Sequence, residues 1–358
     1  MKKNFWYIFI LLLILLAITF KLTNGFKFLK SESNTKGPIP YVNVYFDDEE
    51  VFPVYLIYLR NTGQGLMELT ITNPDILSKT LKVTYGFTEF GGSESKSVFV
   101  ESGNVIKVPI TPYSPKLNDV FSPVNATILV KVTDEKNTKI FTKTWSLKVC
   151  PGDEILWKIR NRDCTNLIAS FVTPWNKSVE GLMMKAKNKT RGKNGSVNNL
   201  NDEDFRQLVK NLFNTVKDED ITYTNNPISF GDGSAQRIRM PNLTLQTKSA
   251  NSIDGSVLLA SLFENAGLRA YIVILSDHAI VGVARPNHEN DKIFIETTLL
   301  GRSTLESIFS LETTFTAATK SGKEAYNKAF SQSVNQESGK FALIDIHKAR
   351  HSGIQPLN

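Results

Sequence analysis

Between Tyr41 and Val149, apolar and polar positions alternate in short runs broken by turn residues. The runs are Val-Asn-Val-Tyr-Phe, Val-Tyr-Leu-Ile-Tyr-Leu, Met-Glu-Leu-Thr-Ile-Thr, Leu-Lys-Val-Thr-Tyr, Ser-Val-Phe-Val, Ala-Thr-Ile-Leu-Val-Lys-Val-Thr and Ile-Phe-Thr-Lys-Thr-Trp-Ser-Leu-Lys-Val. A period of two places successive side chains on opposite faces of a strand. About seven such strands at this spacing predict an immunoglobulin-like β-sandwich over residues 41–150. No titratable cluster in this half has catalytic spacing, so spacing or adhesion is the role expected of it.

After Cys150 the pattern turns to helical periods mixed with strands. Residues 180–187 and 202–216 predict helices, the second lined by Phe205, Leu208, Val209, Leu212 and Phe213 at steps of three and four. Between them, Lys185 to Gly195 reads as an exposed basic loop, a solvated run before a contact for an anionic partner. From Ser252, a stripe of Leu258, Leu259, Leu262, Phe263 and Ala266 predicts a buried helix that stops at Gly267. Leu268–Leu275 and His278–Ala284 predict strands separated by Ser276-Asp277, and Lys292–Thr298 predicts the strand returning after the turn Arg285-Pro-Asn-His-Glu. Residues 331–340 read as polar linker, and 341–350 as a last strand or helical turn, with both alternatives open.

The 358 residues exceed one small domain and predict two. At the start, Met-Lys-Lys-Asn precedes sixteen apolar or weakly polar residues, Phe5 to Phe20, with no small-x-small cleavage site after them. This predicts an uncleaved membrane anchor over a cleaved signal, with the soluble part outside the cytoplasm although the flanking lysines are nearly balanced. The expected organisation is therefore anchor or signal 1–20, tether 21–40, sandwich 41–150, catalytic-type domain 151–330, and linker with C-terminal tail 331–358. The formal charge is +7, but Lys2, Lys3, Lys21, Lys27 and Lys30 lie in the first thirty residues, which hold no acid; without them it is 7 − 5 = +2. The basic balance thus belongs to the terminus, and no nucleic-acid partner is indicated. Cys150 and Cys164, the two cysteines, are compatible with one disulfide or with two reduced core thiols.

Ser252 falls in the first turn of its helix, where unpaired backbone N–H groups and the positive helix end favour a nucleophile. Asp254 reads as a first-turn acid attracted by the same dipole. His278 and Glu296 share a face only if they stand opposite or two residues diagonal in the hairpin, and direct opposition places Gly282 across from Lys292.

The run from Ser252 to Val273, followed by Ser-Asp-His278-Ala-Ile-Val-Gly-Val and Phe-Ile-Glu296-Thr-Thr, resembles the active-site frame of the transglutaminase-like superfamily within the papain-like thiol group. Ala169-Ser-Phe-Val-Thr-Pro-Trp-Asn, Gln236-Arg-Ile-Arg-Met-Pro and Asp345-Ile-His-Lys-Ala-Arg-His are similar to one microbial branch in which a β-rich region precedes that domain. The expected fold is α+β: the transmembrane anchor and immunoglobulin-like sandwich read from the pattern above, then the papain-like, transglutaminase-like domain that the resemblance implies. In the family the order is Cys, His, Asp or Glu. It implies Ser252 in the nucleophile position, His278 as general base and Glu296 as its orienter. It also implies Gln236 as an oxyanion or substrate-positioning residue, with a surface polar residue as the alternative. Arg237 and Arg239 are available for acidic substrate groups or for surface salt bridges.

The departure is the alcohol at Ser252. A thiol near pKa ~8.5 can be drawn down to thiolate beside a histidine, whereas a serine needs concerted proton transfer and a tuned oxyanion hole. The expected function is a membrane-anchored peptide, protein or glycopeptide binding module with little or no turnover. The alternatives are an active Ser-His-Glu hydrolase or acyltransferase on amide or ester bonds, and a purely structural assembly protein. No cofactor is expected, and no Cys/His/Asp cluster has the spacing of a metal site.

Overall fold

The computed structural model describes residues 39–46, 51–53, 65–159, 162–189, 197–224, 235–301, 311–334 and 341–357. They fall into two compact units, one holding the strands up to Val149 and the other the residues from Cys150 onward.

The first unit is built from β1 (Tyr41–Phe46), β2 (Val51–Pro53), β3 (Met67–Thr72), β4 (Lys79–Phe87), β5 (Glu94–Val100), β6 (Val105–Ile110), β7 (Val124–Thr133) and β8 (Lys139–Cys150). They form a sheet of order β1-β3-β6 and a sheet of order β2-β8-β7-β4-β5. The period of two governs burial: Met67, Leu69 and Ile71 of β3, and Ile128, Val130 and Val132 of β7, are all buried. Each contributes about 1.5–3 kcal/mol by leaving water. Phe46 of β1 meets Trp145 of β8 edge-on, with ring centroids 6.5 Å apart, so the two sheets share this core.

The expected fold class needs correction. The chain is mixed α+β, and no helix among the described residues is long and apolar enough to cross a membrane. The transmembrane anchor and the extracytoplasmic placement that rested on it are therefore not supported. The run that suggested them, residues 5–20, lies outside the described residues. Its sixteen residues also fall short of the ~20 that a helix needs to cross a hydrocarbon core.

The second unit contains β9 (Glu154–Leu156), α1 (Lys177–Lys189), α2 (Asp202–Lys217), β10 (Ala235–Arg237), α3 (Pro241–Thr247), α4 (Ser252–Asn265), β11 (Arg269–Ile274), β12 (Ala279–Ala284), β13 (Ile293–Ile295), α5 (Leu311–Val334), β14 (Ala342–Asp345) and α6 (Ile346–His351). Its main sheet is antiparallel with order β13-β12-β11-β14. α4 is buried along its whole length from Ser252 to Phe263, as expected of a helix that is apolar on every side. Gly267, at φ +78°, ends it in the left-handed region that favours glycine.

Both faces of the sheet are covered. α4 packs on β11 and β12, while α5 lies against Val273, Leu275, Ile280 and Phe294 through Ala325, Tyr326 and Ala329. Phe294 and Tyr326 stack with centroids 3.8 Å apart. Gly322 lets α5 come this near: a Cβ there would stand 2.7 Å from the backbone of Phe294 and Ile295.

Three boundaries differ from the sequence pattern. α1 runs to Lys189, so the first part of the basic run is helical, and residues 190–196 lie outside the described residues. α5 continues to Val334 into the expected linker. The C-terminal segment forms both a strand and a helix, and β14 pairs with β11 from Tyr271↔Asp345 to Ile274↔Ala342, so it completes the main sheet. Arg350 of α6 fixes it there, donating to Ala169 O at 2.8 Å and pairing with Glu264 of α4 at 3.2 Å.

Candidate functional site

Two chain segments meet at the start of α4. Asn251 is its N-cap: the Asn251 side chain accepts from Asp254 N at 2.9 Å, and the Asp254 carboxylate accepts from Asn251 N at 3.2 Å. This reciprocal cap satisfies two donors that the first turn would otherwise leave bare. Asp254 also accepts from Arg239 N at 2.7 Å and stands 3.6 Å from the Arg239 guanidinium. Burial pushes its carboxyl above the ordinary range, and these donors oppose the shift. Asp254 thus builds the helix start and tethers the segment after β10.

Ser252, the first helical residue, is 2% exposed. Its Oγ accepts from the backbone N–H of Ala279 at 3.2 Å. Its carbonyl accepts from Ser256 Oγ at 2.7 Å and from Thr297 Oγ1 at 2.8 Å. The approach of Thr297 needs Gly255, where a Cβ would lie 3.2 Å from Thr297 Cβ. A single threonine hydroxyl thereby pins the start of α4 to the residue next to Glu296.

His278 stands just before β12, its loop closed by Leu275 N donating to His278 O at 2.9 Å. Its Nε2 lies 3.0 Å from Glu296 Oε2, and its Nδ1 lies 2.7 Å from Asp277 Oδ1. The strands pair Val281↔Ile295 and Gly282↔Phe294. Glu296 is therefore two residues diagonal from His278, on the same face, and Gly282 does not oppose Lys292. The Glu296 backbone N–H donates to Ala318 O of α5 at 2.9 Å, and its Oε1 accepts from Thr298 N at 3.1 Å. The orienting carboxylate is thus held by its backbone, its own side chain and the helix behind it.

The charges follow from this geometry. Burial alone would lower the His278 pKa, but the hydrogen bonds and charges of Glu296 and then Asp277 outweigh it and raise it to about 9. Burial would raise the Glu296 carboxyl, and its contact with His278 holds it below the usual range. A carboxylate beside each ring nitrogen favours the protonated ring, which would donate from both nitrogens. The Glu296 side chain is 10% exposed and that of Asp277 79%, so solvent screens Asp277 far more and Glu296 provides the stronger hold.

The three residues that the sequence singled out are brought to one place, but not as a linked chain. His278 and Glu296 pair directly. Ser252 joins them through the Ala279 amide, and no hydrogen bond links its hydroxyl to the imidazole among the described residues. A doubly donating imidazolium has no lone pair with which to take the serine proton. The start of α4 and the Ala279 N–H instead surround Oγ with positive character, which suits an anionic atom better than an alcohol.

Gln236 lies on β10, opposite Ile155, and is buried. Its amide donates to Arg237 O at 3.0 Å. Arg237 pairs with Asp153 at 2.9 Å, and Arg239 donates to Ser249 O at 2.9 Å, so both arginines serve the scaffold. Cys150 and Cys164, the pair considered for a disulfide, are both buried. No group of three His, Cys, Asp or Glu among the described residues is placed to hold a metal.

Asp277, Thr297, Asn251 and the Ala318–Gly322 stretch of α5 shape the site but were not singled out by sequence pattern. Asp277 and Thr297 are chain neighbours of His278 and Glu296, the one sequence signal that marks them.

No protein-family model matches the chain, and no curated protein matches it significantly. Among solved structures, it is similar to a putative protease from Parabacteroides distasonis, at 10% identity and a TM-score of 0.25, over 64% of this chain and 62% of that one. A family 76 glycoside hydrolase from a bovine Bacteroides thetaiotaomicron strain matches at 9% identity and a TM-score of 0.14, over 56% and 44%. The chain thus spans less than two thirds of either neighbour, and at these scores neither likeness carries an argument about this protein.

Proposed function

We propose that the second unit is a transglutaminase-like domain whose nucleophile position is disarmed, and that it binds a peptide or glycopeptide with little or no turnover. The observation that supports this reading is the clamp on His278. Glu296 and Asp277 occupy both ring nitrogens and keep the ring cationic, while the Ser252 hydroxyl engages the Ala279 amide. An imidazolium suits a thiolate partner and leaves a serine without a base. The ligand class follows from the resemblance of the Ser252, His278 and Glu296 segments to that family.

Three measurements test the reading. A fluorophosphonate probe is expected to leave Ser252 unlabelled, and peptide ligands are expected to shift the His278 ring resonances on saturable binding. Labelling at Ser252 that disappears in His278→Ala establishes the hydrolase instead. In Ser252→Cys, the thiolate absorbance that the wild-type protein lacks is expected to titrate roughly 2 units or more below the ordinary thiol value of ~8.5. A new thiol that titrates at or above that value would mean that the surroundings of Oγ do not favour an anion.

A further inference from the structure

On the opposite side of β13 from α4, helix α5, the start of β13 and helix α2 border an open, solvent-facing groove of about 400 Å³. Arg206, Lys292, Lys320 and Lys323 line it, and no acidic residue does. Among the described residues, none of the four is ion-paired with a carboxylate. Arg206 stands over the Phe315 ring at 5.5 Å, and Lys292 donates to Glu289 O and stands over the Tyr271 ring at 4.9 Å. The acids of the neighbouring loop are engaged elsewhere, Glu289 with Arg269 and Asp291 with Arg285. Among the described residues, the positive charge gathered here therefore has no carboxylate paired with it.

The other walls define what would fit. Thr316 and Thr319 contribute hydroxyls, and Tyr326, stacked on Phe294 and on Phe330, adds an aromatic side chain to the lining. We propose that this groove binds a small phosphate ester, its phosphoryl group among the four cations and its organic part against Tyr326. A carboxylate brings one negative charge, whereas a phosphoryl group brings about −1.5 to −2 charges and three acceptor oxygens into the same space. A volume near 400 Å³ lies within the range of small-ligand sites, roughly 300–1,000 Å³. The groove shares no lining residue with Ser252, His278 or Glu296, so this inference does not depend on the function proposed for them.

Calorimetric titration of the full chain with pyrophosphate, glucose 6-phosphate, inorganic phosphate and succinate tests it. Lys320 and Lys323 are exposed, so Lys320→Gln/Lys323→Gln is expected to keep the fold, checked by its melting curve. The expected result is saturable one-to-one binding of glucose 6-phosphate, tighter than inorganic phosphate, and weakened about tenfold in the double variant. Pyrophosphate is expected to bind at the same site with the same sensitivity. Equal affinity in the double variant, succinate binding as tightly as the phosphate ester, or no saturable binding would each overturn the proposal.

Discussion

Gly322→Val is expected to destabilise the protein by about 3 kcal/mol, a result opposite in sign to what helix propensity alone gives. Replacing an interior helical glycine with a better helix former ordinarily stabilises by up to about 1 kcal/mol. Here the new Cβ would meet the backbone of Phe294 and Ile295 at 2.7 Å, and those atoms belong to β13, which cannot turn aside as a flexible side chain can. α5 must move off the sheet, so packing outweighs propensity. The same movement breaks the bond from Glu296 N to Ala318 O and frees the carboxylate that holds His278. Chemical denaturation and the His278 titration, measured on one sample, check both consequences. Unchanged stability would mean that α5 does not rest on β13 as described.

Glu296→Gln is expected to lower the His278 pKa by roughly 2 units, because it removes the less screened of the two opposite charges while leaving burial, which favours the neutral ring. Asp277→Asn is expected to shift it less, since that carboxylate is 79% exposed. The pair also fixes a pH window for stability. His278 is raised from 6.5 to about 9, so its contribution is complete below pH 6.5 and disappears as the pH rises through about 9. Glu296 is lowered from 4.5, so its contribution is complete above pH 4.5 and disappears as the pH falls through its depressed value. The pair therefore stabilises fully between pH 4.5 and pH 6.5, and Glu296→Gln is expected to flatten the alkaline side of the stability profile.

The parts of this site that sequence pattern makes legible are those set by local rules. An apolar stripe of Leu258, Leu259, Leu262, Phe263 and Ala266 ending at Gly267 marks α4, and period-two alternation restricts His278 and Glu296 to one face. Which of the two permitted registers forms depends on the conformation of the turn between the strands, which periodicity does not encode. α5 is obscure for a physical reason. Its contacts with the sheet use Gly322, Ala325 and Ala329, small residues that let backbones approach, and so leave no broad apolar stripe. Asp277 is adjacent to His278 in the chain, yet only the folded loop reveals that its carboxylate reaches Nδ1. The protonation of His278, on which the function turns, emerges from two distances and a burial that no linear pattern contains. The terminal apolar run shows the opposite risk, since hydrophobicity alone suggested a membrane span that no described helix supplies.

Nitrogen-15 NMR titration of the His278 ring in the unaltered protein addresses the central claim most directly. The account predicts a ring protonated on both nitrogens at pH 7, losing its proton only near pH 9. A ring that is neutral at pH 7, with one nitrogen unprotonated and facing Ser252, would contradict it and return the base to a working serine.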